Sequence, residues 1–251
     1  MNETKFNGLG QTYAQYRPSY PKEFMDYLYS DIGITKGCDI ADVGSGTGIL
    51  TRQLIDNGHR VYAVEPNADM RFVAETELGG FDKFVSVDGT AESTTLLDNS
   101  VDFITAAQAF HWFDRQRFRA ECMRIIRPGG KVVLVWNCRD ETSEMVREND
   151  VIIRKYCPDF KGYSGGMRGA ESDDDFKDFF SGGYDTKAFR NDLAFDKQGF
   201  IGRNLSSSYA PKEGDSYYQA YIADLGVLFE KFSNDGCMVM PNITRSYAGT
   251  V

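Results

Sequence analysis

The sequence predicts an α/β protein with a Rossmann-like, doubly wound and mostly parallel sheet, helices covering both faces. Three observations lead there. Short β-branched runs alternate with helical patterns from residue 20 to residue 136, as right-handed βαβ crossovers require. The stretch Gly44-Ser45-Gly46-Thr47-Gly48 falls directly between a strand pattern and a helix pattern, where such sheets receive ligands. Lys131 to Trp136 (KVVLVW) is nearly all apolar, as a strand buried on both faces is.

Each element follows from local pattern. Pro21 opens a first helix, with Phe24, Tyr27 and Leu28 spaced for one face and Gly33 near its end. Asp39 to Val43 (DIADV) is the first strand, and after the glycines a helix runs from Ile49 to Asn57, stopped by Gly58. Val61 to Val64 is the second strand, ending at Glu65-Pro66. Asn67 to Glu77 reads as a helix, with Met70, Val73 and Ala74 at helical spacing. Phe84 to Val87 and Val101 to Ala107 are the third and fourth strands. Arg115 to Ile126 is a helix, and Arg127-Pro128-Gly129-Gly130 closes it before the fifth strand.

Beyond Asn137 the alternation breaks down. Residues 140 to 182 read as helical pieces around a glycine-rich loop at Gly162 to Gly169. Tyr184 to Phe195 reads as a strand, Gly199 to Ser208 as a helix, and Ser216 to Phe232 as a longer helix striped by Tyr217, Tyr221, Leu225 and Leu228. Val239 to Tyr247 is a last strand after the Asn234-Asp235-Gly236 turn. The late strands would extend the sheet to seven, the last one antiparallel.

With 28 Lys+Arg against 37 Asp+Glu, the 251-residue chain carries a formal charge of −9. That balance opposes a broad hold on nucleic acid or anionic lipid and leaves room for a local basic pocket. Five cysteines (Cys38, Cys122, Cys138, Cys157, Cys237) form no C-x-x-C pair, which fits reduced thiols of a cytoplasmic protein. The first residues are polar, and no apolar run reaches the length of a membrane span. Asp173-Asp174-Asp175 reads as a solvated helix start, and no metal site is expected.

The glycine stretch carries the chemistry. Glycines let the backbone turn tightly and let a ligand approach without a Cβ in the way. A dinucleotide loop of the G-x-G-x-x-G kind would need glycine at 49, where the chain has Ile49, and no Gly-Lys-Ser/Thr follows. Glu65 ends the second strand on the same sheet edge, where a carboxylate can accept hydrogen bonds from both ribose hydroxyls. Asp88-Gly89-Thr90-Ala91-Glu92 is a turn after the third strand whose polar groups suit an adenine edge.

These residues, with Arg127-Pro128-Gly129-Gly130, resemble the class I S-adenosylmethionine-dependent methyltransferases. More narrowly they resemble the methyltransferase type 11 branch that includes trans-aconitate-methyltransferase-like enzymes. Tyr16-Arg17-Pro18-Ser19-Tyr20-Pro21, Ala107-Gln108-Ala109-Phe110-His111-Trp112-Phe113 and Trp136-Asn137-Cys138-Arg139-Asp140 add to the likeness. Ser207-Ser208-Tyr209 and Tyr247 add to it more weakly.

The resemblance implies S-adenosyl-L-methionine as cofactor, S-adenosyl-L-homocysteine as product and a small-molecule methyl acceptor. It implies that Gly44, Ser45, Gly46 and Gly48, with Asp42 and Thr47, wrap the methionine part, while Glu65 holds the ribose. Pro66 and Met70 would flank the adenine, with Gly89, Thr90, Ala91 and Glu92 at its edge. Thr90 stands where the family often has Asp. Tyr13 and Tyr16 would cover the cofactor from an N-terminal lid, and Ala107 and Gln108 would border it. The expected acceptor pocket is Tyr20, Phe110, His111, Trp112, Trp136, Arg139, Arg168 and Tyr209. His111 is a candidate to accept or orient a proton, against an equal reading as a packed strand-end residue. Arg17 is a candidate to pair with a carboxylate of cofactor or acceptor. His59 reads as an ordinary turn residue.

One domain is expected: an N-terminal lid and first helix (1–36), a cofactor-binding core (37–139), a cap with a late strand (140–235) and a final strand (236–251). The resemblance implies a carboxylate or other small organic acceptor first. A carboxylate would need no base, while a hydroxyl or amine would need one, with His111 or a tyrosine as the candidate. A nucleotide-dependent oxidoreductase, a tRNA or other nucleic-acid methyltransferase and a relative that binds without turnover stay open as alternatives. Oligomeric state is open as well.

Overall fold

Buried side chains alternate along the central strands of the computed structural model, which describes residues 17–160, 162 and 176–251. On β5 (Ile126–Arg139), Val132, Leu134 and Trp136 enter one core while Val133 and Val135 enter the other. A period of two does this, and it demands helices on both faces. One face is covered by α1 (Lys22–Ser30) and α2 (Ile49–Asp56), through Phe24, Leu28, Leu50 and Leu54. The other is covered by α4 (Arg115–Ile125), through Phe118, Cys122 and Ile125.

The remaining core strands are β1 (Asp39–Val43), β2 (Arg60–Val64), β3 (Phe84–Val87) and β4 (Val101–Ala107), with α3 (Ala68–Leu78) between β2 and β3. Two later strands, β6 (Ser181–Arg190) and β9 (Asn242–Thr250), complete a seven-stranded sheet of order β3-β2-β1-β4-β5-β9-β6. The first five run parallel, and β9 is antiparallel to both its neighbours. The chain winds outward from β1 in both directions, so a crevice opens at the carboxyl ends of β1 and β4.

The cap consists of α5 (Glu144–Tyr156), α6 (Lys197–Leu205), α7 (Tyr218–Phe232) and a hairpin of β7 (Leu193–Phe195) with β8 (Met238–Met240). Its own core gathers Met145, Ile153, Phe200, Tyr221, Leu225, Met238 and Met240.

The boundaries differ from the sequence reading in three places. The single late strand expected over 184–195 divides into β6 and β7. Between them Asn191 N–H donates to the Asn242 carbonyl, and the Asp192 carboxylate accepts from Asn242 N–H. The strand expected over 239–247 divides at Pro241 into β8 and β9, because proline donates nothing to a ladder. Met238–Met240 therefore pair within the cap. β5 begins at Ile126 rather than Lys131, and its register with β4 shifts between Val101 and Phe103, as a bulge produces. The loop expected at 162–169 and the Asp173–Asp175 run lie outside the described residues, apart from Gly162. Among the described residues no helix is long and apolar enough to cross a membrane, and all five cysteines are free.

Candidate active site

The crevice is shaped first by Asp42, buried at the end of β1. Its carboxylate accepts from Thr51 Oγ1 at 2.6 Å on α2 and from Thr105 Oγ1 at 2.7 Å on β4. Burial pushes this carboxyl up, against the two hydroxyls that pull it down. Asp42 does not border the cavity, contrary to its expected direct contact with cofactor. At 1% exposure it is occupied in joining two strands and a helix beneath the loop.

The loop itself turns on three glycines with positive φ, at 69° (Gly44), 57° (Gly46) and 84° (Gly48). Gly44 and Ser45 N–H both donate to the Val64 carbonyl, at 2.8 and 3.2 Å, which pins the loop to the end of β2. A Cβ on Gly44 would press on Ala109 Cβ at 2.6 Å, and one on Gly48 on Leu78 Cδ1 at 2.6 Å. A Cβ on Gly46 would meet no atom within 4 Å, and Gly46 lines the cavity. Gly48 therefore packs the start of α2 against α3 instead of lining the cavity as expected.

Glu65 follows at the end of β2, only 8% exposed. Its Oε2 accepts from Gly46 N–H at 2.9 Å and its Oε1 from Asn67 N–H at 2.9 Å. Burial pushes the carboxyl above its ordinary range, against those two N–H groups and Arg71. Arg71 also donates to the Glu65 carbonyl at 2.7 Å and to Asp88 at 3.0 Å, holding the ends of β2 and β3 together. Pro66, Asn67 and Met70 continue this wall, and Thr90, Ala91 and Glu92 close it after β3. Thr90 and Ser93 bond each other's backbones there. Gly89 does not border the cavity, because it packs where a Cβ would lie 2.7 Å from the Thr94 carbonyl.

Beyond β4 the cavity is bordered by Ala107, Gln108, Ala109, Trp112 and Phe113. Gln108 adopts φ 56°, a left-handed conformation, and its amide donates to the Asn137 carbonyl at 3.0 Å. Strain of this kind collects at functional sites. His111 does not border the cavity: its Nδ1 accepts from the Trp136 indole at 3.4 Å. Phe110 and Trp136, expected in the acceptor pocket, are core instead. The Phe110 ring packs among Phe113, Phe118, Trp136, Phe176 and Phe179.

The segment before α1 supplies Arg17, Pro18 and Tyr20 to the cavity. Gln53 of α2 clips it by accepting from Tyr20 N–H at 3.0 Å and donating to the Tyr20 carbonyl at 2.8 Å. Of the other predicted residues, Arg139 is buried beside Asn204 and Tyr209 packs on Phe160 within the cap, so neither reaches the cavity. His59, read as a turn residue, is fully buried and stacked on Tyr29. Tyr13, Tyr16 and Arg168 lie outside the described residues.

The sequence reading missed Pro18, Ile49, Leu50, Asn67, Ala109, Asn137 and Arg203 as lining residues, whereas Trp112 and Phe113 were expected among the aromatics of the pocket floor. Pro18, Ala109 and Asn137 sit within motifs that were noticed. Arg203 had no signal in its own neighbourhood.

A nucleoside cofactor fits this cavity on its own chemistry. Glu65 offers a fixed, ionisable acceptor, Gly46 leaves open space beside it, and Ser45 Oγ and Thr47 Oγ1 are buried without a hydrogen-bond partner among the described residues.

Comparison with known proteins agrees. Residues 41–134 match the family model for a methyltransferase domain. An uncharacterised methyltransferase of Mycobacterium tuberculosis is 43% identical over 148 residues, 59% of this chain and 58% of that protein. One from Schizosaccharomyces pombe is 31% identical over 147 residues, 57% and 56% of the two chains. The chain thus spans under three fifths of the length of these two relatives. A candidate type II methyltransferase structure from Anaeromyxobacter dehalogenans shares the fold, with a TM-score of 0.66, 22% identity and coverage of 94% and 98%. In its glycine loop, its sheet order and its residues 41–134, the chain is similar to the class I S-adenosylmethionine-dependent methyltransferases.

Proposed function

We propose that the chain transfers a methyl group from S-adenosyl-L-methionine to a small organic acceptor, with a carboxylate as the first-ranked acceptor and a hydroxyl as the alternative. The observation that carries this reading is the pairing of Gly46 with Glu65 across the crevice, at 2.9 Å. When bound, the cofactor supplies a methyl group already activated on a sulfonium.

The chain's own residues then have four tasks. Gly44, Ser45, Gly46 and Thr47 surround the methionine part, with the Ser45 and Thr47 hydroxyls as its polar contacts. Glu65 accepts from the ribose hydroxyls. Pro66 and Met70 lie against the adenine, with Thr90, Ala91 and Glu92 at its edge. Trp112, Phe113 and Tyr20 exclude water from the reacting side, where aromatic faces tolerate a cationic centre. Alignment and water exclusion are the main requirements of such a displacement, and in model systems alignment alone lowers barriers by about 7–11 kcal/mol. A carboxylate nucleophile has no proton to lose. The net charge of −9 disfavours a nucleic-acid acceptor.

The test is transfer of labelled methyl from S-adenosyl-L-methionine to a panel of carboxylic acids, alcohols and amines. Base-labile methyl esters are the expected products. Labelled nucleic acid, with no small-molecule product, would overturn the reading.

A further inference from the structure

Charge is segregated in the cavity. Among the described residues, its carboxylates, Glu65 and Glu92, follow β2 and β3. Its guanidinium groups, Arg17 and Arg203, come from the segment before α1 and from the cap helix α6. That second wall stands over β5, because Asn137 of β5 donates its amide to the Ser19 carbonyl at 3.4 Å. β2 and β5 are three places apart in the sheet order, about 14 Å at ordinary strand spacing. A ligand filling the cavity therefore meets acids at one end and guanidinium groups at the other.

Arg203 is held in a built seat. It is 5% exposed, yet lines the cavity. The Asn204 side-chain oxygen beside it accepts from Asn149 of α5 at 3.2 Å and from Arg139 of β5 at 3.4 Å. The Asn204 amide donates to the Phe200 carbonyl at 3.0 Å. These bonds fix α6 to both the cap and the sheet, and so fix where Arg203 enters. Arg17 reaches the same place, its Nη2 donating to the Ser206 carbonyl at 3.0 Å. A guanidinium fork matches a carboxylate in shape, and in a site screened from water it separates an anion from its neutral isostere.

We propose that Arg203, with Arg17 beside it, binds an oxyanion of the methyl acceptor and is the residue through which the cap sets specificity. This rests on the cavity being the S-adenosyl-L-methionine site.

The test uses the full chain saturated with S-adenosyl-L-homocysteine and titrated with acetate, succinate and citrate, each beside its amide. At least one carboxylate binds the wild type while its amide does not. R203Q weakens that binding about tenfold or more, and R203K, which keeps the charge without the fork, weakens it less. Affinity for S-adenosyl-L-homocysteine stays the same in both. Melting curves accompany each variant, and R203K decides the matter if R203Q fails to fold.

Three results would overturn the proposal: no carboxylate binds, the variants bind carboxylates as the wild type does, or R203Q weakens S-adenosyl-L-homocysteine but not 5′-methylthioadenosine. The last would assign the oxyanion to the cofactor's own amino-acid part. Failure of the wild type to bind S-adenosyl-L-homocysteine at all strikes the underlying reading first, and the proposal falls with it.

Discussion

Glu65 combines two roles that pull in opposite directions with pH. Burial raises its carboxyl above the ordinary 4.5, so the folded protein holds this proton more tightly than the unfolded chain. Its contribution to stability is therefore present below the ordinary value and lost as pH rises through the raised one. Ribose binding needs the ionised form and runs the other way. Cofactor affinity is expected to fall on acidification at a pH above that of an ordinary carboxylate, and E65Q should show a weaker affinity without that pH dependence, by calorimetry across the range. The glycines make a second prediction. G48A places a Cβ 2.6 Å from Leu78 at φ 84° and should cost about 1–3 kcal/mol of stability in urea unfolding. G46A has open space, so its larger effect should be on S-adenosyl-L-homocysteine affinity. Gly46 and Glu65 were legible in the sequence because each follows directly on a local strand pattern, whereas the packing of Gly48 on Leu78 of α3 depends on a residue 30 positions on. Arg203 was not legible. Its place in the cavity is set by Asn149 and Arg139, 54 and 64 positions upstream along the sequence.

At the scale of elements, Asp42 decides how β1, α2 and β4 meet. Removing it in D42A leaves the Thr51 and Thr105 hydroxyls buried without their acceptor. A loss of about 2–6 kcal/mol in urea unfolding is expected, from two orphaned groups at about 1–3 kcal/mol each. The central parallel strands β1, β4 and β5 were readable from their apolar runs, since burial on both faces leaves little choice of residue. The late strands were not divided correctly, because Pro241 and the Asn191–Asp192 corner act through pairing partners far along the chain. The aromatic run after β4 misled for a related reason. Its spacing alone does not say that Phe110 turns into the core while Trp112 and Phe113 face the cavity.

Over the whole molecule, the sheet supplies the Glu65 end of the cavity and the cap supplies Arg203 at the other. The fold class and the glycine-loop wall of the cavity were legible because the parallel core is written locally in strand, glycine loop and helix. The acceptor side was less legible, being assembled where the segment before α1, β5 and α6 come together. The central claim is that this cavity takes a sulfur-containing nucleoside through Glu65. Its most direct measurement is titration calorimetry of S-adenosyl-L-homocysteine against wild type and E65A, with NAD as comparator. Saturable binding by the wild type, weakened about 10–150-fold in E65A, with no heat from NAD, is the predicted result. No binding of S-adenosyl-L-homocysteine, or equal binding by folded E65A, would contradict it.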